Sequence, residues 1–206
     1  MASQDVVWSL QEFVDGANLH VLTAAGARTV IAANERQSGL GKLFRSETDL
    51  VDRTSVIEGM MVHDRWRNLE RLSDFSPAGH RLVEILRQRV LPLPDLLSND
   101  LVHGDYNQDN ILLGSGRVNA FVDTDELGIG TRFFDLVDLF DHSYQNHDPP
   151  PGYLLLRKNV VDGIGEEGFW ACLATTAIGK MNWFREQMPD RLPYRIARLQ
   201  RLLDEE

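Results

Sequence analysis

Apolar positions along the chain change their period several times, and those changes divide it into elements. Residues Val6-Val7-Trp8-Ser9-Leu10-Gln11-Glu12-Phe13-Val14 are rich in β-branched and aromatic types and stop at Asp15-Gly16, which predicts a strand followed by a turn. Leu22, Ala25, Thr29, Val30 and Ala33 recur at helical spacing, so residues 19–39 predict a helix with Gly39 as its stop. Residues 40–54 are mixed and acidic and predict a loop. Val56, Met60, His63, Trp66 and Leu69 predict a second helix over 55–72. Pro77 suits a first helical turn, and Leu82, Ile85, Leu86 and Val90 form an amphipathic stripe that Pro92 and Pro94 end.

Residues 101–140 break this helical rhythm. Ile111 to Leu113 and Val118 to Val122 flank Gly114-Ser115-Gly116, a hairpin signal. After Gly130, positions Phe133, Leu136, Val137 and Phe140 return to helical spacing. Three consecutive prolines, Pro149 to Pro151, predict a rigid connection. Helices are then expected over 153–161, 166–187 and 191–203. Trp170, Leu173, Ala177, Met181 and Phe184 give the long one an apolar face that reads as core. The fold class expected from this order is α+β, mainly helical, with a short β-hairpin at its centre.

Composition narrows the function classes. A chain of 206 residues, 43% hydrophobic and 25% charged, suits a globular domain with a sizeable core. No apolar run approaches the roughly 20 residues needed to span a bilayer. Met1 to Asp5 has no basic region leading into a hydrophobic signal, so the expected location is cytoplasmic, with no membrane partner. Cys172 is the single cysteine and is expected to be a small buried apolar residue. The net charge of −10 argues against nucleic acid as a partner, which would need a basic face. It serves either to attract cationic small molecules or simply as an acidic, solvated surface. His63 and His80 stand alone, without a second ligand at metal spacing.

The chemistry gathers in LVHGDYNQDNILLGSGRVNAFVDTDELGIGTRFFDLVDLF, residues 101–140. Phosphoryl transfer needs one carboxylate free to accept a hydroxyl proton, and separate oxygen ligands that hold Mg²⁺ against the phosphates of a nucleotide. Asp105, Asn110 and a further Asp, Asp123, at the end of the hairpin supply these types from two adjoining loops. The ordered set His103-Gly104-Asp105, Asn110 with Ile111-Leu112-Leu113, Val122-Asp123 and Asp135-Leu136 resembles the aminoglycoside phosphotransferase and choline kinase family, small-molecule relatives of the protein kinases. The tripeptide alone is common by chance; the order and spacing of the whole set carry the resemblance.

That resemblance implies a role for each position. Asp105 matches the catalytic Asp that takes the acceptor's hydroxyl proton, and Asn110 and Asp123 match the Mg²⁺ ligands. His103 matches a residue that braces the loop. Asp135, near a helix start, is expected either to accept hydrogen bonds from the catalytic-loop backbone or to cap its helix. Residues 1–16 resemble the last strand of an amino-terminal lobe and its hinge, so main-chain groups of Gln11, Glu12, Phe13 and Val14 would line the adenine slot of ATP or GTP. Residues 17–206 resemble the carboxy-terminal lobe of a protein-kinase-like fold. In the family, acidic residues after the metal Asp hold the amino groups of sugars. Here Asp125, Glu126, Asp138, Asp141, His142, Asp148, Glu166 and Glu167 are each expected on a solvated face.

A complete kinase carries a Gly-rich phosphate loop, a lysine and a helical Glu before that hinge strand, where this chain has Met1 to Asp5. Ser38-Gly39-Leu40-Gly41-Lys42 lacks the four-residue gap and the Ser/Thr of a Walker A motif, so it is expected as a helix end with Lys42 solvated. Val122-Asp123-Thr124-Asp125 resembles the nucleophile motif of haloacid-dehalogenase-like phosphatases, but it lies past the midpoint with mostly helices after it. The expected activity is transfer of a nucleotide γ-phosphoryl to a hydroxyl of a small molecule such as an amino sugar or amino alcohol, with the chain alone expected to bind Mg-nucleotide weakly and turn over little or not at all, since that phosphate loop and lysine are missing from it. The alternative is a non-catalytic lobe that binds a ligand or partner. An unpaired edge at the amino-terminal strand is expected to promote self-association.

Overall fold

The computed structural model describes residues 13–44, 51–53, 68–93, 95–143 and 150–204. The strand predicted over 6–14 therefore lies outside the described residues up to Glu12, as do Gln11, His63, Trp66, Asp148 and most of the helix predicted over 55–72. Phe13 to Gly16 run without regular structure into β1 (Ala17–Asn18). Helix α1 spans Ala24–Glu35, shorter than the predicted 19–39 at both ends. Thr23 starts it, its hydroxyl accepting from the Gly26 N–H at 3.0 Å. Gly39, at φ 68°, closes the turn after it rather than the helix itself.

The sequence predicts a loop over residues 40–54, and the structure corrects this in two places. Gly41–Phe44 forms a single helical turn, α2, and Val51–Arg53 forms β2. Both are too short for a periodic pattern, and β2 exists by pairing in parallel with β6 (Gly128–Gly130). β6 was also unread. Gly-Ile-Gly carries almost no strand propensity, and its backbone is fixed from both sides by β2 and, antiparallel, by β3 (Asp100–Val102). The second small sheet holds β1, β4 (Ile111–Gly114) and β5 (Arg117–Phe121), all antiparallel. Ser115 and Gly116 join β4 to β5 with φ of 52° and 76°, the two positive values that a tight two-residue hairpin turn requires.

Of the helix predicted over 55–72, residues 68–72 are described, and α3 (Glu70–Ser73) begins within them. Helix α4 (Pro77–Arg89) starts at Ser76, whose hydroxyl accepts from Gly79 N–H, with Pro77 in the first turn. Helix α5 (Phe133–Ser143) and the long α6 (Tyr153–Gln187) pack most extensively against each other, and α7 (Leu192–Asp204) closes that side. α6 departs from helical geometry at Gly165, φ 75°, between the two helices that the apolar pattern separates. Phe140 joins the two helices: its ring stacks on Tyr153 at 3.9 Å and meets Phe169 edge-on at 5.1 Å. Leu136, Leu139, Leu156 and Leu173 are fully buried beside them, each contributing about 1.5–3 kcal/mol by leaving water. Cys172 lies in the same core as a free thiol, its pKa pushed up by burial. The whole is an α+β, mainly helical lobe with two three-stranded sheets beside its helices.

Candidate active site

The candidate loop leaves β3 at Val102 and re-enters the hairpin at Ile111. Gly104 turns it at φ 88°, a conformation that brings its N–H against Asp135. Asn107 then starts a 3₁₀ turn over Gln108–Asn110, its side-chain oxygen accepting from the N–H groups of Asp109 at 2.9 Å and Asn110 at 3.1 Å.

Asp105 is half-buried, and one of its carboxylate oxygens accepts from Asn110 Nδ2 at 2.9 Å. The same amide nitrogen donates to the Asp105 backbone carbonyl at 3.0 Å. Both donors of Asn110 Nδ2 thus face Asp105, and the amide oxygen is the atom left for a cation. His103 is buried, with Nε2 2.9 Å from the carbonyl of Val122 and Nδ1 3.4 Å from the N–H of Asp105. This pattern assigns the proton to Nε2, which donates to Val122, and leaves Nδ1 as acceptor. The ring bridges the candidate loop to the far end of the hairpin.

Val122 N–H in turn donates to the Asn110 carbonyl at 3.0 Å, so the residue that follows, Asp123, is carried to the loop by backbone bonds. Asp123 is exposed and sits at φ 60°, in the left-handed region. Non-glycine residues there are strained by roughly 1–2 kcal/mol, and Asp is one of the few types that enters it routinely.

Behind the loop, Asp135 is fully buried near the start of α5 and accepts three N–H groups. These come from His103 at 2.9 Å, Gly104 at 3.0 Å and Gln37 Nε2 at 2.8 Å. Burial pushes its carboxyl up to about 6, and the donors at Gly104, His103 and Gln37 limit the rise. One turn further along α5, Asp138 accepts from Tyr106 N–H at 2.8 Å.

Asp138 and Asp141 do not lie on a solvated face. Both are buried, Asp138 paired to Lys180 at 2.6 Å and Asp141 to Lys180 at 3.1 Å and Arg198 at 2.9 Å. Burial alone would raise the Asp141 pKa, but the two cations hold it well below the usual carboxylate range. His142 is half-buried; its pKa is lowered by burial and by Lys180. Asp125, Glu126, Glu166 and Glu167 are exposed, as is Lys42.

The structure therefore gathers His103, Asp105, Asn110 and Asp135 into one hydrogen-bonded unit and carries Asp123 to its edge. Phe13 and Val14 are exposed in the irregular stretch before β1, which Asn119 ties to the hairpin through the Asp15 carbonyl. Sequence reading missed Gln37, Asn107, Asp138 and Lys180 as parts of this unit. A signal existed for two of them. Asp138 lies three residues after Asp135 inside an apolar helix, and Lys180 falls on the face marked by Leu173, Ala177 and Phe184.

Asn110 and Asp123 offer only oxygen atoms, an amide and a carboxylate, which fits Mg²⁺, a hard cation that keeps several waters. Ligand-type atoms of Asp105, Asp138 and His142 also lie within 4.8 Å of one another. An ammonium already supplies the positive charge there, since Lys180 sits on Asp138.

Residues 2–165 match the family described as "Phosphotransferase enzyme family". The chain belongs to that family. Among solved structures, it resembles the apo form of a thermostable mutant of aminoglycoside phosphotransferase APH(4)-Ia, with a TM-score of 0.65 at 13% identity over 94% of this chain and 70% of that one. Macrolide 2′-phosphotransferase MphH from Brachybacterium faecium gives 0.58 at 15% identity, over 89% of this chain and 66% of that one. A putative aminoglycoside phosphotransferase from Ralstonia eutropha gives 0.56 at 18%, over 90% and 69%. At these identities the structures show a shared kinase-like fold. No curated protein matches the chain. Among the described residues, no helix of this phosphotransferase-family chain is long and apolar enough to cross a membrane.

Proposed function

We propose that this chain transfers the γ-phosphoryl group of ATP or GTP to a hydroxyl of a small molecule, with amino sugars and amino alcohols as the acceptor class. The observation that carries the reading is the Asp105 carboxylate held by Asn110 Nδ2 at 2.9 Å, on a loop whose backbone is gripped by Asp135. A carboxylate fixed in this way can orient the acceptor oxygen and take its proton as the O–P bond forms. The proton passes to Asp105, and the nucleoside diphosphate leaves with the electron pair of the broken bond. Asn110 and Asp123 would hold Mg²⁺, which when bound neutralises the phosphate oxygens. Supporting the nucleotide and acceptor assignments, another thermostable mutant of APH(4)-Ia forms a ternary complex with ADP and hygromycin B. In the same reading residues 1–16 are the last strand and hinge of an amino-terminal lobe, with main-chain groups of 11–14 along the adenine, and the enzyme works in the cytoplasm.

The test is a phosphotransfer assay on the purified chain with Mg-ATP and Mg-GTP against a panel of amino sugars and amino alcohols, with the phosphate ester identified by ³¹P NMR. Asp105→Ala is expected to lower transfer by about 10²- to 10⁴-fold while far-UV circular dichroism stays unchanged. Turnover within about tenfold of the parent would remove Asp105 from the role of base. A chain that neither binds Mg-nucleotide nor phosphorylates any acceptor would favour the binding-module alternative.

A further inference from the structure

Asp105 is bracketed by two buried carboxylates from the same face of α5. Asp135 takes the N–H groups of residues 103 and 104, before it, and Asp138 takes the N–H of Tyr106, after it. Their spacing of three residues, about one helical turn, puts both on one side of the helix. The two anchors are supported differently. Asp135 receives a neutral amide, Gln37. Asp138 receives a cation from another helix: Lys180 Nζ lies 2.6 Å from Oδ1 and donates to the Asp138 carbonyl at 3.3 Å, while Oδ2 is kept for Tyr106.

Asp138 has 4% of its side chain exposed, and the ammonium fixed beside it offsets the cost of holding that carboxylate in a buried place in one orientation. Here Lys180 divides its charge between Asp138 and Asp141, and Arg198 completes Asp141 through its carboxylate at 2.9 Å and its carbonyl at 2.8 Å. The two buried carboxylates thus face the half-buried Lys180 and the buried Arg198, with the half-buried Arg195 also close enough to act on Asp141. His142 faces the same group, and its lowered pKa keeps it from adding a further charge at neutral pH.

We propose that Lys180 is a positioning residue for Asp105: by neutralising Asp138 it fixes the Tyr106 backbone, and so sets the placement of the carboxylate that precedes it. Lys180 reaches neither acceptor nor nucleotide in this role; it acts through Asp138. The inference rests on the transfer reading for its catalytic consequence, but the backbone anchor can be measured without turnover.

The charge arithmetic supplies the test. Lys180→Met removes the ammonium 2.6 Å from Asp138 while Asp141 keeps Arg198, so the uncompensated negative charge falls on the buried Asp138. Asp138→Asn with Lys180→Met restores balance, and the new amide oxygen can still accept from Tyr106. Amide hydrogen exchange by NMR is therefore expected to quicken at Tyr106 by about tenfold or more in Lys180→Met, and to return to within about threefold of the parent in the double variant. In the phosphotransfer assay kcat should follow the same order, down by about 10²-fold and then recovering, while KM for Mg-nucleotide stays within about twofold, because misplacing a reacting group by about 1 Å costs that much. If Lys180→Met does not fold, the double variant decides: parent-like exchange at Tyr106 supports the proposal. A double variant as loose as the single, or a single variant that exchanges like the parent, overturns it. Absence of turnover in the parent would count against the transfer reading, while Tyr106 exchange would still judge the anchor.

Discussion

Asp135 shows how much this site costs a single residue. Its carboxyl is raised from 3.8 to about 6 because burial disfavours the charge, yet the three donors around it are best served by the ionised form. An acid whose folded pKa lies above its unfolded value contributes stability that is intact below the unfolded pKa, about 4, and lost as pH rises through about 6. That rise corresponds to roughly 3 kcal/mol across the window. The expected outcome is that urea midpoints of the parent fall between about pH 4 and pH 7 relative to Asp135→Asn, which has no such proton to lose. Parallel pH profiles for the two proteins would show that Asp135 is already ionised throughout. Above about pH 6 the protein thus carries the cost of a buried carboxylate charge at the position whose oxygens hold His103 and Gly104 in place.

The β4–β5 hairpin is the element that was most legible, and for a physical reason: its signal is local. Gly114-Ser115-Gly116 announces a turn that needs two left-handed residues and so sets the pairs next to it, Gly114 with Arg117 and Leu113 with Val118, whereas the irregularity that shifts the register to Leu112 with Ala120 has no signal of its own. β2 and β6 were not legible, because a three-residue strand such as Gly-Ile-Gly is defined by its partners and not by its own residues. The hairpin ends in strain at Asp123, φ 60°, where a glycine would sit without penalty. Asp123→Gly is accordingly expected to raise thermal stability by about 1 kcal/mol while removing Mg²⁺ binding, since a carboxylate ligand is lost. Differential scanning calorimetry and a Mg²⁺ titration with nucleotide present check the two halves together. A variant that is both less stable and still competent for Mg²⁺ would mean that the side chain serves the fold and not the metal.

Across the whole molecule, legibility followed the distance over which each interaction acts. The ordered motif from His103 to Asp135 revealed the family, whereas the support for it arrives from residues 98 and 42 positions away: Gln37 on Asp135 and Lys180 on Asp138. The helical faces place Asp138 and Lys180 toward the core but do not say which residues pair across such distances, so Asp138 and Asp141 read as surface charges when they are buried counter-ions. The acidic surface is therefore smaller than the count of carboxylates suggests, and among the described residues the exposed run Asp123, Asp125 and Glu126 lies near the site, as does the exposed Asp109. That run makes a signed prediction. If it attracts a cationic acceptor, salt should screen the attraction and raise KM for an amino sugar severalfold between about 0.01 M and 1 M ionic strength, over which the Debye length falls from about 30 Å to 3 Å. The same screening relieves repulsion of the anionic nucleotide, so its KM should fall or hold. A neutral hydroxyl acceptor should show no trend. Steady-state kinetics across that salt range distinguish the two readings of the charge: parallel trends for amino and neutral acceptors would make these carboxylates plain solvated surface, and opposite trends for acceptor and nucleotide would make them part of how the site selects what it phosphorylates.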